Sequence, residues 1–307
     1  MRIKSVYPKK CVYFCPVVYD IADMELLKSY TINLNSRLTV LDKPQVMGIL
    51  NLTPDSFYAM SRKQTENDVA TRVAQLMAEG ADIIDVGACS SRPGADNVSA
   101  EEEMERLRRG LDILRQVAPE AVVSVDTYRA DVAAMCVEEY GVAMINDISA
   151  GQLDERMFDT IARLRVPYVL THMQGTPETM QASPQYVDVV HDVLRFLAAR
   201  AEILHEKGVS DVVIDPGFGF GKTLEHNYQL MDRLEEFHLL ELPLLVGISR
   251  KSMIYRLLDV TPDEALNGTT ALNMVALMKG AHILRVHDVK ACRECIQIVD
   301  KLRNVSL

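Results

Sequence analysis

Three residues suited to recognising a flat heterocycle stand directly after short apolar runs: Asp126 after 122–125, Asn146 after 143–145 and Asp215 after 212–214. A carboxylate accepts two parallel N–H bonds from an amidine or guanidine edge, and such charge-assisted pairs fix orientation as well as affinity. Lys251, within Ser249-Arg250-Lys251-Ser252, can donate to a ring carbonyl or nitrogen. Arg285, His287 and Asn51 make a second sector suited to a phosphate, with Mg2+ as the expected cation because it prefers oxygen ligands and keeps several waters. Acidic and basic sectors kept apart suit a ligand divided in the same way. No Ser-His-Asp arrangement, cysteine nucleophile or His-Glu-x-x-His motif stands out, so covalent catalysis is not the first expectation. Transfer to an external nucleophile, with diphosphate leaving, fits better.

These groups need a scaffold that brings distant parts of the chain together. From residue 46 onward the sequence holds eight short apolar runs: 46–50, 83–86, 122–125, 143–145, 168–171, 212–214, 244–247 and 283–286. Between them lie segments of helical period, such as 69–79, 101–116, 130–140 and 187–207, and a terminal helix is expected over 289–302. Strands alternating with helices mean βαβ units and a parallel sheet. Eight units at this length predict a (β/α)8 TIM barrel, with an open doubly wound sheet as the alternative. Each run ends near polar or ionisable residues: Asn51, Asp85, Asp126, Asn146 with Asp147, His172, Asp215, Ser249 to Ser252, and Arg285 with His287. The C-terminal ends of barrel strands are where active sites are built.

After Asp215 the chain enters a turn in which Gly217, Gly219 and Gly221 alternate with Phe218 and Phe220. A P-loop is excluded because its first glycine would fall at Pro216, and a dinucleotide fingerprint because its third would fall at Lys222. Upstream, 30–34 and 37–40 alternate around Asn35-Ser36 and predict a small β-hairpin. Residues 1–29 read as an N-terminal extension of unassigned role, and 30–307 as a single barrel domain.

Among the 307 residues, 48% are hydrophobic and 25% charged, an ordinary globular balance, and the net charge of −10 argues against bulk binding of nucleic acid or an anionic membrane. Six cysteines do not make a disulfide scaffold; a zinc site would need the Cys11/Cys15 and Cys292/Cys295 pairs to meet across the whole chain. With no membrane-length apolar run and no secretory h-region at the start, a cytoplasmic setting is expected.

Taken in order, the motifs resemble those of the dihydropteroate synthases. The resemblance begins at Met47-Gly48-Ile49-Leu50-Asn51-Leu52-Thr53-Pro54-Asp55-Ser56-Phe57 and continues through Ser124-Val125-Asp126-Thr127-Tyr128 and Ile145-Asn146-Asp147-Ile148-Ser149. It ends with 215–223, Gly247-Ile248-Ser249-Arg250-Lys251-Ser252 and Arg285-Val286-His287-Asp288-Val289. It implies a transferase of folate biosynthesis, a sulfonamide target, that condenses 6-hydroxymethyl-7,8-dihydropterin diphosphate with 4-aminobenzoate. It further implies that Asp126, Asn146, Asp215 and Lys251 line the pterin pocket, with Asp126, Asp215 and Lys251 catalytic. Asn51, Arg285 and His287 would bind diphosphate, Asn51 through Mg2+. Ser91, Arg92, Pro93, Phe220 and Ser252 would surround the aminobenzoate, and a homodimer is implied.

Two loops depart from the family pattern. The first lacks an aspartate and two glycines usual after Asp55-Ser56-Phe57, and the second carries Cys89 where glutamate is usual. Arg62 and Arg92 are expected to close on the diphosphate instead, which predicts that diphosphate binds before aminobenzoate. The other readings are a methyltetrahydrofolate:corrinoid methyltransferase, which shares the pterin contacts but needs no diphosphate site, and a non-catalytic pterin-binding paralogue.

Overall fold

A computed structural model describes residues 28–35, 37–52, 62–89 and 98–305, without the side chains of 62–65. Ser91, Arg92 and Pro93, the Arg62 side chain, most of the first loop and residues 1–27 lie outside the described residues. A hairpin comes first, β1 (Thr31–Leu34) and β2 (Arg37–Val40), paired antiparallel. Eight parallel strands follow: β3 (Gln45–Asn51), β4 (Ile83–Gly87), β5 (Val122–Asp126), β6 (Met144–Asp147), β7 (Tyr168–Thr171), β8 (Val212–Asp215), β9 (Leu245–Val246) and β10 (Ile283–Val286).

Neighbouring strands pair in the order β8-β7-β6-β5-β4-β3-β10-β9, and a parallel bridge between Ile214 and Leu244 joins the two ends. The sheet therefore curls into the expected (β/α)8 barrel, with its seam held by that bridge and by the Ile214 N–H donating to the Pro243 carbonyl at 2.9 Å. The predicted strands differ from the observed ones by a residue or two. The seventh is the shortest, because Gly247 and Ile248 already turn toward the mouth.

The helices α1 (Arg62–Ala78), α2 (Ala100–Val117), α3 (Ala130–Tyr140), α4 (Met157–Leu164), α5 (Val189–Glu206), α6 (Leu224–Asp232), α7 (Ser252–Leu258), α8 (Leu266–Met278) and α9 (Val289–Val305) lie between or after the strands. Their starts follow local chemistry. Ser99 accepts from the Glu102 N–H before α2, Asp188 accepts from Val190 and His191 before α5, and Thr223 forms a capping box with His226 before α6. Apolar helix faces pack on the outward side chains of the strands, such as Val46, Ile84, Val125 and Leu284, and bury them fully.

A second apolar cluster fills the lower barrel. Met47, Ile83, Met144, Val169, Val213, Leu245 and Ile283 point inward, and Ile32, Leu34 and Leu41 from the hairpin region close that end. Burying the hairpin's apolar face there keeps water out of the barrel from below. The opposite, C-terminal end is left to polar side chains.

Candidate active site

Strand alternation decides which polar residues reach the mouth. The pairing register aligns Asp85 with Ser124, Gly87 with Asp126, Asp126 with Asn146 and Thr171 with Asp215. Aligned residues of parallel neighbours share a face, so these side chains form inward-facing layers above the apolar plug. Arg285 aligns with Met47 and joins the same interior. Asp147, adjacent to Asn146, faces outward. Its carboxylate accepts from the Ser149 N–H and hydroxyl, the Gly151 N–H and the Tyr168 hydroxyl, so it anchors the chain leaving β6.

At the centre Arg285 bridges two carboxylates. Its Nε donates to Asp85 Oδ2 at 2.6 Å and its Nη2 to Asp126 Oδ2 at 2.7 Å. Asp85 also accepts from Asn146 Nδ2 at 3.0 Å. Asp85 is fully buried, whereas Asp126 and Arg285 keep some access to the mouth. Burial pushes the Asp126 carboxyl up to about 7; Arg285 opposes this, and the charge of Asp85 adds to it. Sequence alone places Asp85 inside a strand and gives it no role. Only the register brings it to Arg285, 200 residues away.

Asp215 is buried, and its Oδ1 accepts the Gly217 N–H at 2.7 Å, leaving Oδ2 toward Gly247. Lys251 donates to the Phe218 carbonyl at 2.6 Å and sits 4.5 Å from the centroid of the Phe220 ring. Burial lowers its ammonium to about 8, while the charge of Asp215 holds it up. Phe220 and Ser252 thus stand beside Lys251. Ser252 also lines a cavity of about 230 Å³ together with Gln181, Lys222, Thr223, Asn227 and Arg256.

The glycine-rich turn is packed backbone against backbone. A Cβ at Gly217 would lie 1.9 Å from the His172 carbonyl oxygen, and one at Gly221 would lie 2.5 Å from that of Gln174. Both residues have positive φ, 71° and 62°. Beneath them the fully enclosed Lys222 Nζ reaches His172 Nδ1 at 2.9 Å, the Gly217 carbonyl at 2.9 Å and the Phe220 carbonyl at 3.0 Å. Sequence alone assigns neither Lys222 nor His172 a role. The inward course of this lysine is set by the fold.

His287 lies beside this centre. The Ser249 hydroxyl accepts the His287 backbone N–H at 3.1 Å and lies 3.0 Å from His287 Nδ1. With its second lone pair and its own proton still available, the hydroxyl can donate to Nδ1, and in that tautomer Nε2 carries the ring proton. Burial and the neighbouring Arg285 lower the imidazole to about 4, so it is a neutral donor. Arg250, in the same motif, faces away and pairs with Asp288. Asn51 ends β3 exposed at the rim. Its Oδ1 and Asp126 Oδ2 lie 3.9 and 3.8 Å from where a Cβ on Gly87 would stand, so two oxygens border the space beside Gly87.

Such a mouth, with carboxylates and an amide on one side and a guanidinium, an ammonium and a neutral imidazole on the other, defines a (β/α)8-barrel enzyme site for a polar ring bearing an anionic group. The family model for pterin binding enzymes matches residues 47–287. The dihydropteroate synthase of Escherichia coli strain K12 is 44% identical over 262 residues, covering 85% of this chain and 92% of that one. The crystal structure of the Yersinia pestis dihydropteroate synthase in a sulfonamide drug complex superposes with a TM-score of 0.82 at 40% identity, covering 90% of this chain and 100% of that one. That of the Xanthomonas albilineans enzyme with 4-aminobenzoic acid gives a TM-score of 0.81 at 36% identity, covering 90% and 99%. The chain belongs to the pterin-binding enzyme family and, within it, to the dihydropteroate synthases.

Proposed function

We propose that this enzyme condenses 6-hydroxymethyl-7,8-dihydropterin diphosphate with 4-aminobenzoate to give 7,8-dihydropteroate and diphosphate. The observation that carries the reading is the interior polar layer, in which Asp126, Asn146, Asp215 and Lys251 surround a space bordered by Arg285 and His287. In this reading the Asp215 carboxylate accepts the N–H edge of the pterin, Lys251 donates to the ring, and Asn146 completes its outline. Arg285 and the Nε2–H of His287 take the diphosphate. Phe220 and Ser252, with Ser91, Arg92 and Pro93, border the aminobenzoate.

The bond between the pterin methylene carbon and the diphosphate oxygen breaks, with the electron pair leaving on oxygen. The amine nitrogen then bonds to the methylene and loses a proton to the released diphosphate. The carboxylates of Asp126 and Asp215, placed around the ring into which the methylene charge spreads, stabilise the cation electrostatically. No group of three or more His, Cys, Asp or Glu side chains that could hold a metal occurs among the described residues. The space beside Gly87, bordered by Asn51 and Asp126 oxygens, suits Mg2+ held by one or two protein oxygens together with substrate phosphate. Bound there, Mg2+ would neutralise charge developing on the diphosphate.

Mixing both substrates with the purified protein and following diphosphate and dihydropteroate together tests the reading. Pterin binding without diphosphate release would instead indicate a binding paralogue, and methyl transfer a corrinoid methyltransferase. A homodimer is proposed as well. The exposed faces of α7, α8 and α9 carry Leu257, Val275, Met278, Ile298 and Leu302, an apolar surface that a second copy would cover. Sedimentation at micromolar concentration measures it. No helix among the described residues is long and apolar enough to cross a membrane, and a cytoplasmic setting is proposed.

A further inference from the structure

Asp85 has no assigned part in the reaction, yet it is fully buried at the centre of the polar layer. Its Oδ2 receives both the Nε of Arg285 at 2.6 Å and the Nδ2 of Asn146 at 3.0 Å. Its Oδ1 has no hydrogen-bond partner, and the Ser124 hydroxyl, its neighbour in register, is unpartnered too. An ionised carboxylate only accepts hydrogen bonds. The Asn146 carboxamide must therefore turn its NH2 toward Asp85 and its carbonyl away. By the same argument Arg285 is held by its Nε edge, and its Nη1 side is left for another anion.

We propose that Asp85 is a positioning residue of the pterin pocket: it fixes which way round the Asn146 carboxamide faces and holds Arg285 edge-on, so that the ring meets an amide carbonyl and the diphosphate meets the outer guanidinium N–H groups. This rests on the functional reading above. A purely stabilising role explains the arrangement less well. Asp85, Asp126 and Arg285 together carry two negative charges and one positive when both carboxyls are ionised. The fold would be served by Arg285 and Asp126 alone, and a third buried charge is costly unless it does something the pair cannot.

In Asp85→Ala the acceptor is gone, so the orientation of Asn146 is no longer dictated; in the isosteric Asp85→Asn the Arg285 Nε–H, which can only donate, keeps the amide oxygen at the Oδ2 position, where Asn146 still donates. The test is titration calorimetry of the bare 6-hydroxymethylpterin and of its diphosphate ester with the parent, Asp85→Ala, Asp85→Asn, Asn146→Ala and the double variant Asp85→Ala/Asn146→Ala. Thermal melts of every variant run alongside. Asp85→Ala is expected to bind the bare pterin about tenfold more weakly, the scale of one lost hydrogen bond, and Asp85→Asn to stay within about twofold of the parent. In the Asn146→Ala background Asp85→Ala is expected to cost about twofold or less, because the group it positions is gone. Equal losses in both backgrounds, or no loss in the parent, would overturn the proposal. If Asp85→Ala does not fold, Asp85→Leu, which fills the space without an acceptor, reads the same ratio. A parent that binds neither ligand would sink the functional reading together with this proposal. A parent that binds both, with additive losses, sinks this proposal alone.

Discussion

Replacing Asp215 by asparagine is the sharpest single test of the pocket, because the structure dictates how the new amide must sit. Asp215 Oδ1 accepts the Gly217 N–H at 2.7 Å, and that N–H starts a turn whose glycines leave no slack against His172 and Gln174. The substituted carboxamide would keep its carbonyl oxygen on Gly217 and turn its NH2 to the position of Oδ2. A carboxylate oxygen facing a ligand N–H becomes a donor facing a donor. A hydrogen bond to a charged group contributes about 1.5–3 kcal/mol, and an unmatched buried donor costs a similar amount. At about 1.4 kcal/mol per decade, pterin affinity should fall by roughly 10- to 150-fold. A second effect adds to the first. The negative charge of Asp215 raises the ammonium of Lys251, which stands at about 8. Without it the ammonium loses its proton at lower pH, so the affinity deficit should widen as pH rises from the acid side toward 8. Calorimetric titration of a pterin lacking diphosphate, repeated over that range, reads both effects. Unchanged affinity would remove Asp215 from the pocket, and a deficit independent of pH would remove the coupling to Lys251.

Arg285→Ala should weaken the diphosphate ester far more than the bare pterin, and by stranding Asp85 and Asp126 it should cost about 3–5 kcal/mol of stability in a urea titration; equal loss for both ligands would end the phosphate assignment. Lys222→Met strands the Gly217 and Phe220 carbonyls at about 1–3 kcal/mol each, so the melting temperature should drop, and an unchanged one would mean that Lys222 does not lock the turn. Turnover requires Asp126 ionised and Lys251 protonated, so its pH profile should peak between the two, near 7 and 8, and Asp126→Asn should abolish the acid limb. The same shift acts on stability: folded Asp126 keeps its proton until about 7 while the unfolded carboxyl loses it near 3.8. Stability should therefore fall as pH rises through that window, and Asp126→Asn should flatten the slope. Aminobenzoate should bind tightly only with diphosphate present, and calorimetry showing tight binding in its absence would refute the ordered scheme.

Much of this protein is written locally. Apolar runs alternating with helical periods dictate βαβ units, and eight of them at this length favour closure, so the barrel and its C-terminal mouth follow from periodicity. Residues at strand ends, such as Asp126, Asp215 and His287, are legible because the C-terminal ends of barrel strands border the mouth. The facing of neighbours is harder to read. Asn146 and Asp147 are adjacent and equally polar, and only the pairing of β6 with β5 and β7 turns one inward and the other toward Ser149 and Tyr168. Lys222 carries no role in sequence and proves to be a buried strut, because the carbonyls it bonds converge only once the turn packs on His172. Asp85 is the clearest case. Within its strand it is one polar residue among apolar ones, and its partners come from β6 and β10, so its charge acquires a purpose only when the barrel closes around Arg285. Periodicity along a chain determines which elements form, whereas register between strands determines which charges meet.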